Sequence, residues 1–88
     1  MKIRSIRYTS KFERNFKKLP LSIQKKAAEK EKIFRKDPSH PTLKTHRLKG
    51  PMKEFYSFSI DHRYRVVFAF ENGSEVTFID TGDHSIYR

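Results

Sequence analysis

Cysteine is absent from the 88 residues, which excludes a disulfide framework and any thiolate metal site. Long apolar runs are absent too. Nothing approaches the roughly 18 consecutive apolar residues of a membrane-spanning helix, and the stretch MKIRSIRYTS carries no apolar segment of the signal-peptide kind. These absences lead to the expectation of one reduced, cytoplasmic domain over residues 1–88, with no membrane partner. Metal-ligand spacing is missing as well: His40, His46, His62 and His84 fall into no pattern such as H-E-x-x-H, so neither a metal nor another cofactor is expected. There is no internal repeat and no low-complexity segment.

Acidic side chains are scarce where basic ones are dense. Residues 1–53 hold 17 Lys and Arg against 4 Asp and Glu, a net of +13, while residues 54–88 hold 3 against 6, a net of −3. The overall +10 therefore belongs to the first half. A field of that sign raises the local concentration of a polyanion and speeds encounter with it. Nucleic acid or an acidic protein segment is the partner it favours; the plainer alternative is a basic face that only maintains solubility.

A domain this small buries only about 60 per cent of its unfolded surface. Eight Phe and four Tyr supply the economy required, each burying roughly 150–250 Å². Most of that aromatic mass lies in the stretch from Phe55 to Tyr87. Tyr56, Phe58 and Ile60 alternate with serines; Tyr64, Val66, Phe68 and Phe70 form a run that is apolar on both faces; Val76 and Phe78 alternate with Thr77 and Ile79. The period of two and the β-branched and aromatic content predict three strands, the middle one most buried. Asn72-Gly73 predicts a tight primed turn with two positive-φ positions.

Before this sheet, Lys2 to Tyr8 reads as a short strand. Ser10-Lys11-Phe12-Glu13 fits a capping box. Phe12, Phe16 and Leu19 then form one helical stripe, with Lys11, Arg14, Lys17 and Lys18 outside it. Pro20 is tolerated at a helix start and not in an interior, so a second helix opens there. Ile23, Ala27 and Phe34 recur along it, and the small Ala27 and Ala28 predict close approach to a neighbour. Asp37-Pro38 ends it, and the run from Asp37 to Thr45 is a loop. The expected fold is α+β in the order β-α-α-β-β-β, with the helix hairpin packed on one face of a twisted antiparallel sheet. The other face is left to bind something.

Five segments carry a resemblance over essentially the whole chain. They are the N-terminal strand, the basic helix hairpin turning at Leu19-Pro20, the H-x-L-x-G segment from His46 to Gly50, the R-Y-R-V-V-F strand from Arg63 to Phe68, and the closing G-x-H-S-x-Y from Gly82 to Tyr87. In order and spacing they resemble the RelE/ParE toxin superfamily of toxin-antitoxin systems. The RelE-like branch consists of ribosome-dependent mRNA endonucleases, whereas the ParE branch inhibits DNA gyrase without cleaving RNA, and a shared fold does not decide between them. The histidine pair favours the first branch, because His46 and His84 match histidines that take part in cleavage in YafQ-like members. Arg65 matches an arginine that contacts the scissile phosphate in RelE- and YoeB-like members. YafQ-like toxins carry a further histidine and aspartate where this chain has Ser59 and Arg63. The resemblance implies an acidic antitoxin as partner, with the ribosome and its message as target. A non-enzymatic gyrase inhibitor, or an inactive relative that only binds its antitoxin, is the alternative.

Metal-free RNA cleavage needs a base for the 2′-OH proton, a cation for the phosphorane, and an acid for the leaving oxygen. His84 suits acid or base, since an ordinary imidazole pKa near 6.5 allows either state; otherwise it is a surface histidine. His46 is a second such group or a loop histidine that touches phosphate. Arg65 must point away from the side of Tyr64, Val66 and Phe68, where it either stabilises a phosphate or pairs with Asp61, Glu75 or Asp80. Tyr87 can stack on a base or close the core. Lys17, Lys18, Arg47, Lys49, Lys53 and Arg63 are the expected RNA-backbone contacts.

Overall fold

The computed structural model describes residues 2–87, the side chains of His84 and Tyr87 excepted. Strand β1 (Ser5–Tyr8) leads into helix α1 (Ser10–Lys17) and helix α2 (Leu21–Lys36), followed by β2 (His46–Arg47), β3 (Tyr56–Ser59), β4 (Arg65–Phe70) and β5 (Glu75–Gly82). Single 3-10 turns lie at Pro41–Leu43, Gly50–Met52 and His84–Tyr87. The α+β order and the helix hairpin are as expected, with β2 as an added strand. The sheet, however, is mixed, in the order β1-β5-β4-β3-β2. Ser5 to Tyr8 run parallel to Glu75 to Phe78, and the other three pairings are antiparallel. A parallel pair needs a long crossover, and the helices with β2 to β4 supply it.

Helix α1 is capped one residue earlier than the Ser10 box predicts. Thr9 keeps extended backbone, its hydroxyl accepts from the Phe12 amide at 3.0 Å and donates to the Ile79 carbonyl at 2.8 Å. One side chain thus caps the helix and ties it to β5, a double role that Ser10 does not fill. The interruption at Pro20 holds: the Gln24 side chain donates to the Leu19 carbonyl at 3.0 Å, satisfying a group that the break in the helix leaves open. Ala27 is buried against the core, but Ala28 is exposed and takes no part in the close approach.

Phe34 of α2 is fully buried, and its ring lies 5.0, 4.9 and 5.5 Å from those of Phe58, Phe68 and Phe78. One helix residue therefore touches three neighbouring strands. Ile3, Phe12, Leu19, Ile23, Leu43, Val66 and Val76 complete the same cluster. Pro38 and Leu43 are buried too, so the segment from Asp37 to Thr45 closes one end of the core instead of looping into solvent.

The Asn72-Gly73 turn differs from expectation. Among the described residues only Lys44 (φ 51°) and Gly50 (φ 67°) have positive φ. Asn72 Oδ1 instead accepts from the Ser74 and Glu75 amides at 3.0 and 3.1 Å, while the Glu71 amide donates to Glu75 O at 2.8 Å. The side chain captures two amides, so the hairpin closes over a wider turn without left-handed backbone. The β3–β4 turn works the same way: Asp61 Oδ1 accepts from the Arg63 and Tyr64 amides at 2.9 and 2.8 Å. Slight burial raises this carboxyl, but those amides, helped by the charges of His62 and Lys26, hold it below its ordinary 3.8.

Removing the central ring should cost most. Phe34→Ala is expected to lose about 3–5 kcal/mol, a large part of the 5–15 kcal/mol typical of a domain, read as a lower urea midpoint. Asp61 gives a pH signature. Its folded carboxyl titrates below its unfolded one, so its contribution is present above the unfolded value of 3.8 and is lost as pH falls through the folded one. Asp61→Asn keeps the acceptor without the charge and should lose stability less steeply below that pH in acid titrations followed by circular dichroism. Superimposable acid limbs would remove Asp61 from the account.

Candidate nucleic-acid interface

Strand pairing decides which side chains share the sheet face turned away from the helices. Tyr56, Phe58, Val66 and Phe68 face the core, so their neighbours in sequence face outward. His46 stands opposite Ser57, which stands opposite Val67; Ser59 stands opposite Arg65, which stands opposite Gly82. His46 and Arg65 therefore lie on one face, two strands and two residues apart, roughly 12 Å between Cα atoms from ordinary strand spacing and rise. Two side chains of that reach can meet around one phosphodiester.

This face is not bare. Ser57 and Val67 are fully buried on it. A side-chain carbon added to Gly82, opposite Arg65, would meet the Ile86 Cγ2 methyl at 2.6 Å. The turn His84–Tyr87 thus folds back over the Arg65 end of the sheet, and glycine is required there for the approach. The backbone of His84 lies in that turn, two residues beyond the partner of Arg65. The side chains of His84 and Tyr87, both expected at the site, lie outside the described residues.

His46 is exposed, and its Nδ1 lies 3.1 Å from the Lys44 carbonyl. A carbonyl only accepts, so Nδ1 carries the proton in the neutral ring and Nε2 keeps the lone pair. Lys44 is the one non-glycine residue in left-handed backbone among those described, a conformation that costs about 1–2 kcal/mol. That twist turns its carbonyl toward the imidazole. Nothing in the sequence signals it, since lysine is no more suited to the conformation than its neighbours.

Arg65 is half-buried, and its Nη1 donates to the carbonyls of Asp61 and Tyr64, at 2.5 and 3.3 Å. These bonds go to backbone, not to the Asp61, Glu75 or Asp80 carboxylates weighed from the sequence, and neither uses Nε or Nη2. Asp80 instead accepts from Asn15 at 2.7 Å and pairs with Lys11 at 3.4 Å. An extra residue in β5 opposite the Val67–Phe68 step, a β-bulge, precedes it.

The expected backbone contacts divide into two groups. Arg47, Lys49 and Lys53 surround the edge of β2, where Arg47 Nε donates to Lys53 O at 2.7 Å. His46, Arg47, Leu48, Lys49 and Met52 line a hollow there of about 300 Å³. Leu48 enters the sequence reading only as the leucine of H-x-L-x-G and Met52 not at all, since the sequence shows two isolated apolar residues in a basic loop. Lys17 and Lys18 are exposed at the end of α1, and Arg63 lies over the Tyr64 ring with 5.6 Å to its centroid. A second hollow of about 300 Å³ opens beside α1 between Tyr8, Phe12, Phe16, Glu13, Lys17 and Glu31. The Tyr8 hydroxyl donates to Glu31 there at 2.5 Å, and burial with that carboxylate raises its pKa. Its mixed charge suits a phosphate poorly. Among the described residues no group of three or more His, Cys, Asp or Glu is placed to hold a metal.

No protein-family model matches the sequence, and no curated protein matches it significantly. Solved structures do. YafQ from Escherichia coli strain BL21(DE3) superposes with a TM-score of 0.71 at 17% identity, covering 96% of this chain and 97% of that one. A YoeB/ParE toxin from Agrobacterium tumefaciens gives 0.76 at 18% identity, covering 92% and 99%. The toxin-antitoxin complex RelBE2 from Mycobacterium tuberculosis gives 0.79 at 17% identity, covering 97% and 95%. At these identities the likeness is one of architecture, and in architecture this chain has the fold of the RelE-, YafQ- and YoeB-type toxins.

Proposed function

We propose that the chain is the toxin of a type II toxin-antitoxin pair and cleaves messenger RNA on the ribosome. The observation that carries this reading is the placement of His46 and Arg65 on one sheet face, with the backbone of His84 brought to the Arg65 end. Similarity to the fold of YafQ and of RelBE2, whose structure is a toxin-antitoxin complex, supports it. An acidic antitoxin is the partner that the +13 of residues 1–53 would attract.

The chemistry follows from the residues. His46 Nε2, left as the acceptor by the Lys44 carbonyl, takes the 2′-OH proton as the 2′-oxygen bonds to phosphorus. Arg65, oriented through Nη1, offers its remaining N–H groups to the phosphorane oxygens. His84 delivers a proton to the departing 5′-oxygen, leaving a 2′,3′-cyclic phosphate and a 5′-hydroxyl. Tyr87 stacks on a base beside it. The basic ends of α1 and β2 hold the backbone.

In a purified translation reaction the chain should cut message. His46→Ala and His84→Ala should each lower cleavage by roughly 10² to 10⁴, and Arg65→Ala by about 10² or more, without loss of ribosome or antitoxin binding. Full cleavage by His84→Ala would remove its assigned role. No cleavage by the unmodified chain, together with gyrase inhibition, would establish the ParE-like alternative. Ribosome affinity should fall with salt by about 0.7–0.9 in log–log slope per phosphate contact. Lys17→Ala with Lys18→Ala should flatten that slope without changing the cleavage site; an unchanged slope would leave these lysines with solubility alone.

A further inference from the structure

The hollow at the free edge of β2 combines two kinds of lining that a backbone-tracking surface does not need. Arg47 and Lys49 supply cations, while Leu48 and Met52 supply an apolar wall. At about 300 Å³ it stands at the lower limit of ligand sites, the scale of one small planar group with its substituents. Arg47 is not loose: its Nε bond to Lys53 O fixes the guanidinium plane and uses neither terminal nitrogen. The 3-10 turn Gly50–Met52 opens at Gly50 with φ 67°, and this left-handed step returns the chain so that Met52 lines the same hollow as Leu48. His46 belongs to both the hollow and the outer face of the sheet.

Resting on the function proposed above, we infer that this hollow is a nucleotide subsite: it takes one unpaired nucleotide of the RNA substrate next to the bond that is cut. The base lies against Met52 and Leu48, and its phosphate meets Arg47 and Lys49. A thioether is polarizable and conforms to a π-face, and base contact of this kind tolerates any base while ranking them by stacking strength. An acidic peptide would satisfy the two cations and leave Leu48 and Met52 without a purpose, so the apolar wall selects the nucleotide. The subsite would hold the RNA in register with His46, so its occupant influences where the message is cut.

The four nucleoside 3′-monophosphates, inorganic phosphate and a glutamate-rich peptide are titrated separately into the full chain carrying ¹³C-labelled methionine methyls. The nucleotides should shift the Met52 methyl with purines ahead of pyrimidines, while phosphate and peptide should leave it in place. Met52→Ala should weaken purine binding about 2- to 10-fold without altering its salt dependence. Lys49→Ala should lower affinity for all four nucleotides and make the remaining binding less sensitive to salt. Met52→Leu, which keeps the volume of this half-buried side chain, checks that any loss is not a folding defect. Equal Met52 shifts with phosphate or peptide, or nucleotide shifts confined to the hollow beside Tyr8, would overturn the subsite. Nucleotide binding at Met52 in a chain that cuts no message would overturn the proposed function alone. Message cleavage with an unchanged cut-site distribution in Met52→Ala would overturn the subsite alone.

Discussion

The contact of Phe34 with three strands is what makes this chain one body. Each ring pair is a modest attraction, worth about 0.5–1.5 kcal/mol beyond burial. Their arrangement matters more than their sum. A helix residue that touches β3, β4 and β5 together sets how α2 crosses the sheet, and the helix hairpin carries α1 with it. Thr9 adds the second tie, joining the start of α1 to β5 through Ile79, and Asn15 adds a third through Asp80. The outer face inherits this rigidity, since Val67 and Arg65 alternate with the core residues Val66 and Phe68 on one strand.

The charge distribution complements that frame. The sheet half of the chain is net acidic, and the positive field is carried by helix and loop side chains that are mostly exposed. The two cationic groups lie apart, one at the end of α1 in the helix layer and one around the edge strand β2. On the outer face, Arg65 bonds through Nη1 to backbone carbonyls, and neither bond uses Nε or Nη2. Carboxylate partners would offset its charge, whereas neutral carbonyl acceptors orient the guanidinium and leave that charge in place.

Much of the architecture was legible because it depends on periodicity. The stripe Phe12, Phe16, Leu19, the break at Pro20 and the alternation from Tyr56 to Phe78 each report which side of an element is apolar, and the structure uses those sides. Strand neighbours were less legible, because periodicity says nothing of who pairs with whom; hence the parallel β1–β5 pair and the two-residue β2. Local side-chain competition misled twice. Thr9 outdid Ser10 as a cap because it had a second partner in β5, and Asn72 closed its hairpin with its side chain instead of its backbone. At the candidate site, residue types announced His46 and Arg65, but not the left-handed Lys44 that sets the imidazole tautomer, nor the pairing of Leu48 with Met52 across a turn.

The β1–β5 pair also governs when the fold can exist. Ser5 finds its partner Glu75 seventy positions later, after every other element has been made. During synthesis α1 and α2 emerge with their apolar stripes uncovered, and β1 has no strand to lie against. Contacts of such sequence separation form late and slowly. The chain therefore reaches its closed form only once β5 has cleared the ribosome that made it, a built-in delay before the outer face of the sheet is assembled.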